Sequence, residues 1–306
     1  MADMIFSGVT FSGGYSISLP PPPPSGNKAI FGYGFSGGAR SMTNLVSNTG
    51  VVADDTTGVG TARFYLAAAG YGTDKAIFGY GTTGTVTAIT NKVANTGVVA
   101  TDTTGVGTAR SELAAAGYGT DKAIFGYGLP STAITNKVSN TGVVATDTTG
   151  VGTARVSLAA AGYGTDKAIF GYGRSSEGLV SLTNKVSNTG VVATDTTGVG
   201  TARQGLAAAG YGTDKAIFGY GEGPVSMTNL VSNTGVVATD TTGVGTARGY
   251  LAAAVYGTDK AIFGYGNNNA GTRYSLTNKV SNTGVVATDT TGVGTARSSL
   301  AAAAYG

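Results

Sequence analysis

A block of about 47 residues recurs six times almost unchanged, and this periodicity constrains the fold more than any other property of the chain. The phrase Lys-Ala-Ile-Phe-Gly-Tyr-Gly begins at Lys28, Lys75, Lys122, Lys167, Lys215 and Lys260. A second phrase, Gly-Thr-Ala-Arg, ends at Arg63, Arg110, Arg155, Arg203, Arg248 and Arg297. Units of this length, made of short apolar segments between turn residues, point to radially stacked sheets rather than helical repeats. No 3.6-residue apolar period lasts beyond one turn, so helix is expected to be nearly absent.

One repeat, residues 111–155, shows the pattern. Leu113 to Tyr118 is a short strand of very small residues, and Gly119-Thr-Asp121 is a turn. Lys122 to Gly128 reads as a second strand, with Ala123, Phe125 and Tyr127 on one face and Ile124 on the other. Ala133 to Ser139 is the third, Asn140-Thr-Gly142 a hairpin turn, and Val143 to Thr146 the fourth. Such a unit cannot cover both its faces alone. Six of them around an axis cover each other and leave only short outer edges. The expected fold is all-β: a six-bladed β-propeller of four-stranded antiparallel blades over residues 27–306. The rival is a β-solenoid, whose coils usually run to about 20–30 residues. Lys28 has no small-residue strand before it, and Ser298 to Gly306 is such a strand with nothing after it. The C-terminal strand is therefore expected to complete the first blade.

The order Thr-Ala-Arg, two free residues, a small apolar strand, a turn, then an aromatic strand ending in glycines resembles the Kelch-type β-propeller repeat over residues 28–306. Kelch blades usually carry a Gly-Gly pair and a Trp; here the pair is Gly126-Tyr127-Gly128, and Val143 stands at the Trp position. The resemblance implies a ligand-binding face made by the links between strands two and three and between four and one. It also implies that each repeated Arg ties neighbouring blades through an Asp or backbone carbonyls. The near-identical copies are similar in a general way to repeats in bacteriophage tail and structural proteins.

Absent residue types narrow the chemistry. With no Cys and no His, thiol nucleophiles, thiolate metal sites and the commonest general base are excluded. The copper-radical chemistry known among Kelch-like propellers needs both residue types. One Asp in each Thr-Asp-Thr-Thr-Gly segment is too few for the six to eight oxygens of calcium, so Asp102 and Asp147 read as turn-stabilising. Glu112, Glu177 and Glu222 lie singly on different repeats, a poor basis for a glycosidase pair. No catalytic residue, cofactor or metal is expected, and the chain reads as a non-enzyme. The net charge of +3 contains no basic run, so no nucleic acid is expected as partner. No apolar stretch approaches the roughly 20 residues of a membrane span. Met1 to Phe6 lacks the basic start of a secretory signal. Synthesis in a cytoplasm, with later residence on a virion or an extracellular surface, is the expected localisation.

The copies differ in two places. One is the link after the second strand: Phe35 to Met42, Thr82 to Ile89, Leu129 to Ile134, Arg174 to Leu182, Glu222 to Met227 and Asn267 to Leu276. The other is the pair after each Thr-Ala-Arg. In an up-and-down sheet both lie at the same end, so together they make one individualised face. Its candidate ligand-binding residues are the aromatics Phe64, Tyr65, Tyr250 and Tyr274, and the polar Ser111, Gln204, Asn267, Asn268, Ser298 and Ser299. Charged members are Arg40, Glu112, Arg174, Glu177, Glu222 and Arg273. Rigid aromatics beside amides and hydroxyls suit an adaptable recognition surface. The expected function is recognition of a glycan or a surface protein, as a virion-associated or surface adhesin. The alternative is a purely structural block of a tail, fibre or particle, joined to other subunits through residues 1–26. Pro20 to Pro24 in that extension read as a stiff spacer.

Overall fold

The computed structural model describes residues 27–306, and no helix occurs among them. The extension of residues 1–26, with its expected polyproline tether, lies outside the described residues. The strands in chain order are β1 (Lys28–Phe35), β2 (Ala39–Val46), β3 (Ala67–Tyr71), β4 (Lys75–Gly79), β5 (Thr90–Val93), β6 (Ala114–Tyr118), β7 (Lys122–Gly126), β8 (Thr135–Val138), β9 (Ala159–Tyr163) and β10 (Lys167–Gly171). They continue with β11 (Arg174–Ser175), β12 (Gly178–Leu179), β13 (Thr183–Val186), β14 (Ala207–Tyr211), β15 (Lys215–Gly221), β16 (Val225–Val231), β17 (Ala252–Tyr256), β18 (Lys260–Gly264), β19 (Thr277–Val280) and β20 (Ala301–Tyr305).

These strands make six small antiparallel sheets of three strands, and β11 with β12 forms a separate ribbon. In every sheet the Lys-Ala-Ile-Phe strand is central, flanked by the small-residue strand and the Thr-Asn strand. The two ends of the described residues share one sheet: β1 pairs with β20 from Lys28↔Tyr305 to Gly32↔Ala301. That is the register which Tyr71↔Lys75 to Ala67↔Gly79 sets within a single repeat. The small-residue strands also touch in sequence, β3 with β6, β6 with β9, β9 with β14, β14 with β17, β17 with β20 and β20 with β3.

The expected fourth strand does not form a ladder. Val138↔Val144 and Thr135↔Thr148 are isolated bridges, so two residues of β8 face three of the outer segment. The extra residue is a bulge, which interrupts pairing and turns Asp147 out of the ladder. Tyr127 also lies on the face opposite to the expected one. Ala123 and Phe125 pack with Ile77 and Tyr80, whereas Tyr127 joins Ile124 on the opposite face. Tyr127 has φ 64°, as do its equivalents to within a few degrees. A left-handed residue at the end of the strand defeats the two-residue alternation on which the expectation rested.

Sheet stacks on sheet through complementary shapes. A Cβ added to Gly126 would stand 2.8 Å from Phe170 Cζ of the next sheet, so the glycine admits the ring. Each Tyr of Gly-Tyr-Gly then meets that Phe edge-on, as in Tyr127–Phe170 at 5.1 Å between centroids. Burying these rings and the Ile beside them supplies the main stabilisation, about 1.5–3 kcal/mol for a fully buried large apolar side chain.

Candidate functional site

Beneath the variable residues lies a repeated polar network that fixes them. Arg63 is fully buried. Its Nε donates to Tyr80 O at 2.8 Å, Nη1 to Thr61 O at 3.1 Å and Nη2 to Asn91 Oδ1 at 2.7 Å. The guanidinium also sits 4.4 Å above the Tyr33 ring of the preceding sheet. Asn91 donates in turn to Asp102 Oδ1, and Asp102 Oδ2 accepts from the Thr61 hydroxyl at 2.6 Å. Arg297 makes the same set across the chain ends, with Tyr33 O, Asn44 and the Tyr265 ring. The repeated Asp is thus a tether between successive repeats and not a turn stabiliser. Its main partners, Thr61 and Asn91, were not singled out in the sequence, because an uncharged Thr in a loop and an Asn in a strand carry no mark of a buried network.

These groups have a pH signature. Burial pushes Asp102 up, but bonds from Thr61 and Asn91 and the Arg63 charge outweigh it, leaving the carboxyl below its ordinary 3.8. The five equivalent Asp residues shift the same way. Burial pushes Tyr80, Tyr127, Tyr172, Tyr220 and Tyr265 up to about 12, against the pull of the stacked Arg. A depressed carboxyl adds stability above its unfolded pKa, lost as pH falls through the folded value. A raised phenol adds stability below its unfolded pKa, lost as pH rises toward the folded value. The thermal midpoint should therefore decline below about pH 4 and above about pH 10. Circular dichroism melts over pH 2–12 check this, and a midpoint flat at both ends would contradict it.

The variable pairs sit on a belt of backbone hydrogen bonds. Glu112 N donates to Tyr65 O, Ser157 to Glu112, Gly205 to Ser157, Tyr250 to Gly205, Ser299 to Tyr250, and Tyr65 to Ser299, all at 2.7–2.9 Å. The sixth bond returns to the first residue. All six residues have φ between 51° and 62°. Just before each, the first residue of the pair meets the start of a variable link: Phe64↔Thr82, Ser111↔Leu129, Val156↔Arg174, Gly249↔Asn267 and Ser298↔Phe35. Glu222 N donates to Gln204 O in the remaining repeat. Both variable segments are thereby brought together.

Four rings run as a strip across this belt. Phe35–Phe64, Phe64–Tyr65 and Tyr65–Tyr250 have centroids 5.1, 5.2 and 5.6 Å apart. Arg273 caps one end, 4.7 Å from the Phe35 centroid. At the other end Glu222 Oε2 accepts from Tyr250 OH at 2.9 Å and from Gln204 Nε2, and Glu112 Oε2 accepts from Ser157 Oγ at 2.5 Å. Burial, reinforced by the Glu222 bond and charge, pushes the Tyr250 hydroxyl far up. Tyr250 lies over Gly205, where a Cβ would come within 3.3 Å of its ring.

The remaining candidates spread outward. Ser111, Ser298 and Ser299 are buried in the belt region. Asn268 Nδ2 donates to Tyr274 OH at 3.0 Å within the last link, and Asn267 Nδ2 to Asn268 O. Arg40 is exposed and bonds Ser36 O, while Arg174 and Glu177 are exposed on the β11–β12 ribbon. These last three do not join the strip. Phe35 and Ser157 do; both lie in the variable segments but were not among the candidate residues, and nothing in residue type separates Ser157 from the selected Ser111, Ser298 and Ser299.

At the opposite ends of the strands a second belt links the hairpin turns, Gly72 N to Asp121 O and onward through Gly257 N to Asn27 O and Gly306 N to Asp74 O. Inside it opens a cavity of about 180 Å³, with Gly70, Gly117, Gly162 and Gly210 on its wall and Thr73 and Lys75 among its rim residues. The one sequence signal for it is the change of that glycine to Val255 and Ala304 in the last copies. No helix among the described residues is long and apolar enough to cross a membrane. No protein-family model matches the chain, and no curated protein matches it either.

Proposed function

We propose that residues 27–306 form a closed six-bladed β-propeller of the Kelch-like type, and that it serves as a non-enzymatic recognition module. In this reading the belt carrying Tyr65, Glu112 and Tyr250 is the centre of a face that binds a glycan or a surface protein, as a virion-associated or surface adhesin. Closure is supported by the two hydrogen-bond belts, by the contact of β20 with β3 and by the pairing of β20 with β1.

The observation that carries the recognition reading is the left-handed backbone of the belt. Glycine is the residue that such a backbone accepts without strain, yet only Gly205 uses it. Tyr65, Glu112, Ser157, Tyr250 and Ser299 sit at φ 51–55°, a conformation costing of the order of 1–3 kcal/mol each. Free drift would favour Gly there; keeping five side chains, two Tyr, two Ser and one Glu, fits a surface retained for what it touches. Cell-binding assays on the full chain test this. Joint replacement of Tyr65, Tyr250 and Arg273 by Ala should weaken binding tenfold or more while the melting transition persists, since buried aromatic and Arg anchors carry about 2 kcal/mol or more. Undiminished binding by the triple variant would remove the proposed face.

A further inference from the structure

The strip has a chemical polarity that narrows its ligand, given the recognition face proposed above. Inside the protein every ring of Gly-Tyr-Gly already carries a guanidinium, at 4.3–4.7 Å from the centroid. Phe35 carries Arg273 in the same way. Tyr65 and Tyr250 have no such cation among the described residues, and they adjoin Glu112 and Glu222, which form no ion pair among those residues. Each carboxylate is held through Oε2 by neutral donors, with Oε1 left free of protein donors among the described residues. Both carboxylates also act on the Tyr65 and Tyr250 hydroxyls, which burial and these charges push upward. Two π faces and two carboxylates, unmatched by any positive group, favour an organic cation.

We propose that the Tyr65–Tyr250 end of the strip binds a glycan bearing a free amino group, with the sugar ring stacked on the aromatics and its ammonium on Glu112 and Glu222. Successive ring planes are inclined by 53–68°, so they form an open strip and not a box closed around a single side chain. The amide of Gln204 and the hydroxyl of Ser157 border the carboxylates and suit a ring rich in hydroxyls. Lysine side chains of a surface protein share the ammonium but lack that ring.

Tyrosine fluorescence or calorimetric titration of the full chain with chitosan tetraose, its fully N-acetylated counterpart and a lysine-rich tetrapeptide tests the assignment. The free amine should bind saturably, at least tenfold more tightly than the acetylated sugar, and weaken with added salt. Glu112→Gln with Glu222→Gln should erase that preference, the isosteric amides leaving the melting transition in place. Equal binding of both sugars, no binding of either, or tighter binding of the peptide would each overturn the inference. The wild-type comparison decides the matter even if the variant fails to fold. If the Gln variant keeps full cell binding while the Tyr65, Tyr250 and Arg273 variant loses it, the recognition face stands and the amino-sugar assignment falls.

Discussion

Removing residues 298–306 is expected to abolish the cooperative unfolding transition of the chain, measured by circular dichroism and calorimetry. The deletion strips β1 of its partners from Tyr305 to Ala301. It also opens both belts, since Ser299 closes one and Gly306 donates to Asp74 in the other. Leu300 and Tyr305, 5% and 2% exposed, leave clusters that contain Phe31 and Phe78. Exposing a single large apolar side chain costs about 1.5–3 kcal/mol, and a whole domain is stable by only about 5–15 kcal/mol. Loss of a strand, its hydrogen bonds and its stacking on two sides should therefore exceed the reserve. The bared edge of β1 should also promote association between chains. A peptide of residues 298–306 supplied in trans should restore the transition by strand addition. Joining residue 306 to residue 27 and opening the chain at 131 should leave folding intact, because Asn27 N already donates to Gly306 O at 3.1 Å. A truncated chain that melts within a few degrees of the parent would refute the closure.

Arg110→Met should cost about 3–5 kcal/mol, the range for removing one member of a buried charged network. The side chain is fully buried, with Nε on Tyr127 O at 2.8 Å, Nη1 on Thr108 O at 3.1 Å and Nη2 on Asn136 Oδ1 at 2.6 Å. Met fills much of the volume but leaves those acceptors unpaired and the Tyr80 ring without its cation, now 4.3 Å away. Arg110→Lys should rescue little, since one ammonium cannot reproduce a planar fork reaching three acceptors. The melting temperature should fall by about 10 °C. A loss under about 1 kcal/mol for Met would mean that the network is energetically neutral and serves only to set geometry.

Much of the architecture was legible from residue order. The recurrence of Lys-Ala-Ile-Phe predicted the central strand of every sheet, and the unpaired segment after Arg297 predicted that the C-terminal strand joins the sheet begun at Lys28. Those features are local: a run of β-branched and aromatic residues between Gly-rich turns needs no distant partner to declare itself. Two local expectations failed, and for related reasons. Tyr127 switches faces through its positive φ, and the segment from Val143 to Thr148 loses its ladder to one extra residue. A single-residue slip reverses side-chain direction, and periodicity alone cannot register it. The candidate face was partly legible, because divergence among near-identical copies marked the pairs after Arg and the adjoining links. Which of those residues meet was not. Arg40, Arg174 and Glu177 fall away from the strip, while Phe35 and Ser157 enter it.

By itself the sequence determined that the described chain is built from six equivalent all-β units, each with a short strand of small apolar residues that follows a repeated Arg. Backbone carbonyls were already expected as partners of each Arg; tertiary structure alone decided which ones, that Thr, Asn and Asp complete its network across successive repeats, and that Phe35, Phe64, Tyr65 and Tyr250 line up. The physical reason is the range of the forces involved. Strand and turn preferences act over a few residues, whereas these hydrogen-bond partners are chosen by proximity between segments 17 to 264 residues apart, as in Arg63–Tyr80 and Arg297–Tyr33.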